Sequence, residues 1–131
     1  MKITADTNVL LRLILADDEA QAGVAVEAME SASLVAISVH SLCELAWVLG
    51  FRQAMPCHEI AGAIRGLIEA ENVVVNRPAV EAGLAVLDAG GDFADGVTAF
   101  DGQWLGGETF VSFDKKAVTL LARRGGSAKL L

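Results

Sequence analysis

Four acidic residues lie where the ends of secondary-structure elements would bring carboxylates together. They are Asp6, Glu44, Asp95 and Asp114. Asp6 and Asp114 each directly follow a predicted strand. Glu44 and Asp95 lie near the starts of predicted helices. Ligands of open parallel sheets bind beyond the carboxyl ends of the strands, so the four side chains are expected to converge on one edge of the sheet.

Carboxylates gathered at such an edge favour a metal-dependent reaction. Their negative charges repel one another, which raises their pKa values in a dry site unless a cation is present. Magnesium takes oxygen ligands, keeps several waters and reaches phosphates through its open positions. One or two such ions would orient water for in-line attack on a phosphodiester and stabilise the leaving oxygen. Hydrolysis of RNA or DNA is the reaction class that this arrangement suits.

Each acid taken alone also has a structural interpretation as part of a helix cap. Ser41 and Glu44 fit a capping box, in which the glutamate reaches back to a free backbone N–H. Asp6, Asp95 and Asp114 fit ordinary N-caps. For a single acid the cap ranks first, but it does not explain why an acid recurs at the same end of successive elements. The set as a whole therefore favours a metal site.

The elements that must position these acids follow from the spacing of apolar residues. Strands are predicted over residues 1–5, 34–39, 72–76, 109–113 and 128–131. Helices are predicted over residues 7–16, 17–31, 41–54, 56–70, 78–90, 93–105 and 114–124. Strands alternating with helices indicate an α/β fold, a three-layer α/β/α sandwich with a central, mostly parallel sheet.

Composition sets the remaining bounds. A chain of 131 residues with 53% apolar residues is expected to form one domain over residues 1–131. It has no apolar run long enough to span a bilayer, and its first residues enter a strand rather than a signal peptide, so a cytoplasmic location is expected.

Cys43 and Cys57 are widely separated and are expected to be buried reduced thiols. The mean hydropathy of +0.48 suggests an apolar surface that another chain covers, with a large dense core as the competing explanation.

Four stretches, in order and spanning nearly the whole chain, resemble the PIN domain and within it the VapC-type toxins of bacterial toxin–antitoxin pairs. They are ITADTNVLL at residues 3–11, SLCELAWVL at 41–49, GDFADG at 91–96 and TFVSFDKK at 109–116. The resemblance implies an endoribonuclease whose catalytic and metal-binding tetrad is Asp6, Glu44, Asp95 and Asp114. It also implies Mg²⁺ or Mn²⁺ as cofactor, RNA as substrate, a VapB-type antitoxin as partner and a homodimer.

The resemblance also distinguishes neighbouring residues. The third family acid follows an Asp-Phe-Ala segment, which selects Asp95 and leaves Asp92 as a cap or outer acid. Asn8 and Ser112 stand where similar proteins have small polar residues that hold metal ligands or water. The chain departs from the family in the helix after Asp95, where each glycine would loosen the helix by roughly 1 kcal/mol relative to alanine.

The formal net charge of −7 counts against unaided binding of a polyanion. The tetrad accounts for four of these seven charges and leaves three, and one or two bound divalent ions would offset two to four. Metal loading is therefore expected to make the site tolerant of phosphate.

Two other classes stay open at the level of sequence. One is a non-catalytic PIN-like binding module whose acids dock a basic partner protein. The other is a receiver-type phosphoacceptor domain, which needs paired acids after its first strand, whereas Asp17 and Asp18 fall a whole helix later. Trp47 and Trp104 could stack on a base, but Trp47, one turn after Cys43, is expected in the core or a dimer interface.

Overall fold

Five short strands alternate with seven helices along residues 1–131, all of which the computed structural model describes. The strands are β1 (Lys2–Thr4), β2 (Leu34–Ala36), β3 (Val73–Val74), β4 (Phe110–Ser112) and β5 (Ala128–Leu130). The helices are α1 (Thr7–Leu15), α2 (Glu19–Ser31), α3 (Val39–Phe51), α4 (Cys57–Ile68), α5 (Arg77–Asp88), α6 (Phe93–Trp104) and α7 (Lys115–Arg123). Every predicted element is present in the predicted order, with shorter strands than predicted.

All strand pairs are parallel, which confirms the α/β class with a parallel sheet. Strands β1, β2 and β3 pair side by side in that order, with Ile3 opposite Val35 and Val35 opposite Val73. Strands β4 and β5 form a second pair, with Val111 opposite Lys129. Backbone hydrogen bonds therefore join the strands into two separate parallel sheets, a three-stranded segment and a two-stranded segment.

The two segments pack against cores of very different size. The larger core contains 19 buried residues and lies against β1, β2 and β3. Its fully buried large side chains are Leu10, Val35, Leu42, Leu45, Leu49, Ile64, Val80, Leu84 and Phe93. The smaller core contains only Val86, Leu120 and Leu121, with three partly buried neighbours from α6, β4 and β5. Helices α5 and α6 contribute side chains to both cores.

Helices α5 and α6 approach each other closely because glycine stands at the contact. A Cβ on Gly83 would lie 2.6 Å from the ring of Phe93, and a Cβ on Gly96 would lie 2.9 Å from the Cα of Gly83 and closer still to the carbonyl oxygen of Ala82. Backbone atoms cannot move aside as a flexible side chain can. Gly96 and Gly83 therefore let α6 lie against α5.

Several large apolar side chains are exposed, in agreement with the high mean hydropathy. They include Phe51, Trp104, Leu105 and Phe113, each more than three-quarters exposed. Both cysteines are free and half-buried rather than fully buried as the sequence predicts. None of the seven helices is long and apolar enough to cross a membrane.

Candidate functional site

Three aspartates line one cavity of about 330 Å³ at the start of α6 and α7. They are Asp92, Asp95 and Asp114. Trp47 and Phe51 from α3 form part of the same wall, and Lys116 adds a cation. The structure therefore brings together two of the four predicted catalytic acids, with Asp92 as an additional carboxylate beside them.

Asp92 fixes the position of Asp95. The Asp92 side chain accepts a hydrogen bond of 3.2 Å from the Ala94 N–H and is the N-cap of α6. Asp95 therefore lies in the first turn of the helix and is not itself the N-cap. This confirms the expectation that Asp92 acts as a cap and excludes the cap interpretation of Asp95.

Asp95 is half-buried, and its pKa is raised above the ordinary value of 3.8. Burial is the largest cause, and the negative charges of Asp92 and Asp114 add to it. These charges act on Asp95 because all three carboxylates share one cavity. A cation placed among them would relieve the repulsion and favour the ionised form of Asp95.

Asp114 follows β4 and begins α7. Its carboxylate accepts a hydrogen bond of 3.2 Å from the Ala117 N–H, so the cap interpretation of this acid is correct. The Asp114 backbone N–H donates to the Ser112 hydroxyl oxygen at 2.9 Å. Ser112 therefore holds the turn that carries Asp114, and its own hydroxyl hydrogen remains available to a carboxylate or a water.

Asp6 follows β1 and is the N-cap residue of α1, but its side chain accepts no capping hydrogen bond. The other five helices with a polar N-cap residue all have a side-chain capping bond. The next residue, Thr7, is buried, and its hydroxyl has no hydrogen-bond partner. The Asp6 side chain is exposed and makes no capping bond, so its carboxylate is free for another role.

Glu44 lies in the second turn of α3, and the predicted capping box is wrong. Ser38, not Ser41, caps the helix, because the Ser41 N–H donates to the Ser38 hydroxyl oxygen at 3.0 Å. The exposed Glu44 carboxylate pairs instead with His40, at 2.7 Å. The helix begins two residues earlier than the sequence predicts, which moves Glu44 away from the terminal N–H groups.

Glu44 lines a second cavity, of about 470 Å³, rather than the cavity of the three aspartates. This cavity also contains Asn8, Arg12 and Arg52. Trp47 lines both cavities and so lies between Glu44 and the aspartates. Asp6 lines neither of them.

No group of three or more carboxylate, imidazole or thiol side chains is placed to hold a metal ion by protein ligands alone. Magnesium does not require such a cage, since proteins usually bind it through one or two carboxylates, with waters and substrate phosphates completing its shell. The hard oxygen donors of Asp95 and Asp114, which share one cavity and repel each other, fit an ion of this kind. They do not fit a structural zinc site, which would need four closed ligands.

Cys43 of α3 lines neither cavity but is affected by the charge of Asp92. Burial, followed by the charges of Asp92 and Asp101, raises the pKa of its thiol to about 11. A thiol with that pKa is protonated at neutral pH and is a poor nucleophile. Cys43 is therefore not a candidate nucleophile.

Trp47 does not belong to the core, so that part of its predicted placement is wrong. Its side chain is half exposed and stacks on Phe51, with ring centroids 5.2 Å apart and ring planes 14° from parallel. The four-residue spacing of the two aromatics on one helix is the signal that sequence reasoning missed.

Comparison with known protein families matches residues 3–117 to the PIN domain. The matched range contains all four predicted acids and ends within α7. No curated protein matches the chain.

Proposed function

The chain belongs to the PIN domain family, and from that membership we propose that it is a magnesium-dependent endoribonuclease, the toxin of a type II toxin–antitoxin pair. PIN domains are generally metal-dependent nucleases. The observation that carries the proposal is the shared cavity of Asp92, Asp95 and Asp114, in which burial, followed by neighbouring negative charge, raises the pKa of Asp95. Repulsion among clustered carboxylates destabilises a fold, and a cation-dependent reaction would explain why the cluster is present.

In this proposal Asp95 and Asp114 hold Mg²⁺ from within the cavity, and Mn²⁺ can replace it. When bound, the ion supplies an activated water and stabilises negative charge on the phosphate. Asp6, at the end of β1, and Glu44, in the second cavity, complete the proposed tetrad of catalytic and metal-binding acids. Ser112 orients Asp114 through the turn between them, and Asn8 orients water beside Glu44.

The nuclease proposal is tested by cleavage of RNA with and without EDTA. Asp6→Asn and Asp95→Asn are each expected to lower the rate by about 100-fold or more, since removal of one preorganised electrostatic group costs that much in other enzymes. Asp101→Asn is the matched control, because Asp101 is an exposed aspartate of the same helix α6 that lines neither cavity. Equal rates in the Asp95 and Asp101 variants would reject the proposed site.

The toxin role is tested in cells. Expression of the chain alone is expected to arrest growth, and co-expression of a small VapB-type antitoxin that inserts an arginine or a helix into the acidic cavity is expected to restore it. Normal growth at verified soluble expression would contradict the toxin role without contradicting the nuclease. We further propose that residues 1–131 act as one domain in the cytoplasm, and that the exposed apolar residues support a homodimer.

A second candidate is a non-catalytic module that keeps the fold and docks a basic partner protein. Two observations favour it: no three acids are placed to hold an ion unaided, and Asp92 and Asp114 already serve as helix caps. A binding module predicts no cleavage under any metal condition and a basic peptide that binds the wild-type chain more tightly than the Asp95→Asn chain. Magnesium-dependent cleavage lost in Asp95→Asn would reject it.

A further inference from the structure

Lys116 is the only positively charged residue that lines the cavity of the three aspartates. It lies in the first turn of α7, two residues after the N-cap Asp114. This turn is held on both sides, because the Asp114 N–H donates to the Ser112 hydroxyl oxygen and the Ala117 N–H donates to the Asp114 carboxylate. These two hydrogen bonds therefore fix where the backbone of Lys116 stands relative to the carboxylate of Asp114.

Lys116 has no evident structural role. Its side chain is exposed, so it does not pack in either core. The four ion pairs of the chain all join other residues, so Lys116 pairs with none of the aspartates beside it. A cation in the first turn of a helix also faces the positive end of the helix dipole, which is the unfavourable end for it. Packing, ion pairing and helix electrostatics therefore all fail to account for a lysine at this position.

Lys116 does not relieve the repulsion among the aspartates either. The pKa of Asp95 is raised by burial and then by the charges of Asp92 and Asp114. An ammonium group in contact with Asp95 would lower that pKa instead. The positive charge of Lys116 is therefore available to an anion that comes from outside the chain.

The proposed substrate supplies such an anion. The negative charge of three ionised aspartates exceeds the charge of one divalent ion by one, so an ion alone leaves the cavity repulsive to a phosphodiester. During phosphoryl transfer the charge is spread over the phosphate oxygens, where lysine, arginine or a metal ion stabilises it in other enzymes. Lys116 is the residue of this cavity that can supply the missing positive charge.

We propose that Lys116 is a catalytic residue that contacts a non-bridging oxygen of the phosphate being cleaved and stabilises the negative charge on it in the transition state. This inference rests on the proposed nuclease function and adds a residue to its site. In the reaction a water oxygen forms a bond to phosphorus, and the bond from phosphorus to the leaving ribose oxygen breaks. The water gives one proton to solvent, the leaving oxygen takes one from solvent, and Lys116 keeps its own.

The neighbouring Lys115 is a matched control for Lys116. Both lysines are exposed and lie in the first turn of α7. Successive residues of an α-helix point about 100° apart, and Lys115 lines neither the cavity of the aspartates nor that of Glu44. A general attraction of RNA by positive charge would involve both lysines, whereas contact with the reacting phosphate would involve Lys116 alone.

The kinetics of RNA cleavage test the proposal. Lys116→Met is expected to lower kcat by about 100- to 1,000-fold, as the loss of one preorganised electrostatic group does in other enzymes. KM is expected to change much less, because the interaction strengthens in the transition state. Lys116→Arg, which keeps the charge, is expected to lose far less, and Lys115→Met is expected to keep a kcat close to that of the wild type. The Tm values of the two methionine variants should agree within about 2 °C, since both are surface substitutions.

Binding without cleavage separates this inference from the nuclease proposal. The Kd of the Asp95→Asn chain for an oligoribonucleotide is measured in EDTA at several salt concentrations. Adding Lys116→Met is expected to reduce the slope of log Kd against log salt by about 0.7–0.9, the contribution of one phosphate contact. Adding Lys115→Met is expected to reduce that slope less. If the wild-type chain cleaves no RNA with Mg²⁺ or Mn²⁺ and the slope still falls with Lys116→Met, the phosphate contact is supported and the nuclease is rejected.

Three results would overturn the role proposed for Lys116. One is a wild-type kcat in a folded Lys116→Met chain, which would leave the nuclease standing without this residue. A second is a loss confined to KM, which would place Lys116 at a phosphate other than the one being cleaved. The third is an equal loss of kcat in the Lys116→Met and Lys115→Met chains, which would assign the effect to positive charge in general.

Discussion

The three-stranded and two-stranded segments support the proposed acids with very different cores. Asp6 and Glu44 belong to the part built on β1, β2 and β3, which packs on 19 buried residues. Asp114 belongs to the part built on β4, β5 and α7, which packs on three. Local opening is easiest where few apolar contacts must be broken. The site therefore lies between a part of the chain that a large core stabilises and a part that a small core stabilises. Asp95 lies on α6, which contacts both cores.

The strongest way to test this difference is to remove the largest side chain of the larger core. Phe93→Ala is expected to lower the free energy of unfolding by about 3–5 kcal/mol, since Phe93 is fully buried and its ring fills the space beside Gly83. Urea denaturation followed by circular dichroism measures it. A loss below about 1 kcal/mol would mean that the larger core collapses around the gap and is not close-packed.

A matched change in the smaller core is expected to act locally. Leu120→Ala should cost about 2 kcal/mol, the low end for buried leucine, because few side chains surround it. Hydrogen exchange is expected to speed up in β4, α7 and β5 and to stay unchanged in β1 and β2. Equal acceleration in both segments would contradict the division into two parts.

The helix that links the two parts can be displaced by a single methyl group. Gly96→Ala places a Cβ against the backbone of Ala82 and Gly83 and is expected to cost about 1–2 kcal/mol, the strain exceeding the helix propensity gained. Because Asp95 is the preceding residue, nuclease activity is expected to fall more than stability alone explains. Gly102→Ala, also in α6 but with open space around its Cβ, is the control and should stabilise slightly. Equal effects of the two substitutions on stability would mean that α5 and α6 can move apart to accommodate the added Cβ at position 96.

The two strand-end aspartates are expected to differ in their contribution to folding. Asp114→Ala removes a capping hydrogen bond and should destabilise by about 1 kcal/mol, whereas Asp6→Ala removes none and should leave stability nearly unchanged. Thermal unfolding at equal pH measures both. If both variants lose activity while only the Asp114 variant loses stability, Asp6 acts in function alone. If Asp6→Ala destabilised the chain, the Asp6 carboxylate would have a structural role, which would contradict this prediction.

The smallest expected effect concerns the ion pair between Arg65 of α4 and Asp88 of α5, which are joined by hydrogen bonds of 3.0 and 2.7 Å. The hydrogen bond from Arg65 lowers the pKa of Asp88 below 3.8. Because the pKa of Asp88 is lower in the folded chain than in the unfolded chain, the ion pair stabilises the fold at pH values above the ordinary pKa. That contribution is lost as the pH falls through the lowered pKa. Both side chains are partly exposed, so the effect is below about 1 kcal/mol. A double-mutant cycle with Arg65→Met and Asp88→Asn at pH 7 and pH 2 measures it, and a coupling energy that persists at pH 2 would contradict the assignment.

The sequence by itself determined the order of the twelve elements, because apolar periodicity and capping residues act within a few neighbouring positions. It also placed Asp6 and Asp114 directly after strands, and it offered Asp92 as a cap or an outer acid. These features need no knowledge of which elements pack together.

Only the tertiary structure decided which acids share a cavity. The start of α3 at Val39 rather than Ser41 moved Glu44 to the second turn and overturned its capping box. A helix-propensity scale counts Gly96 only as a cost, whereas the close packing of α5 on α6 requires a glycine there. The difference between the two cores and the position of Trp47 beside the aspartates arise from contacts between residues far apart in the chain. Such contacts depend on the three-dimensional arrangement of whole elements, which local spacing does not specify.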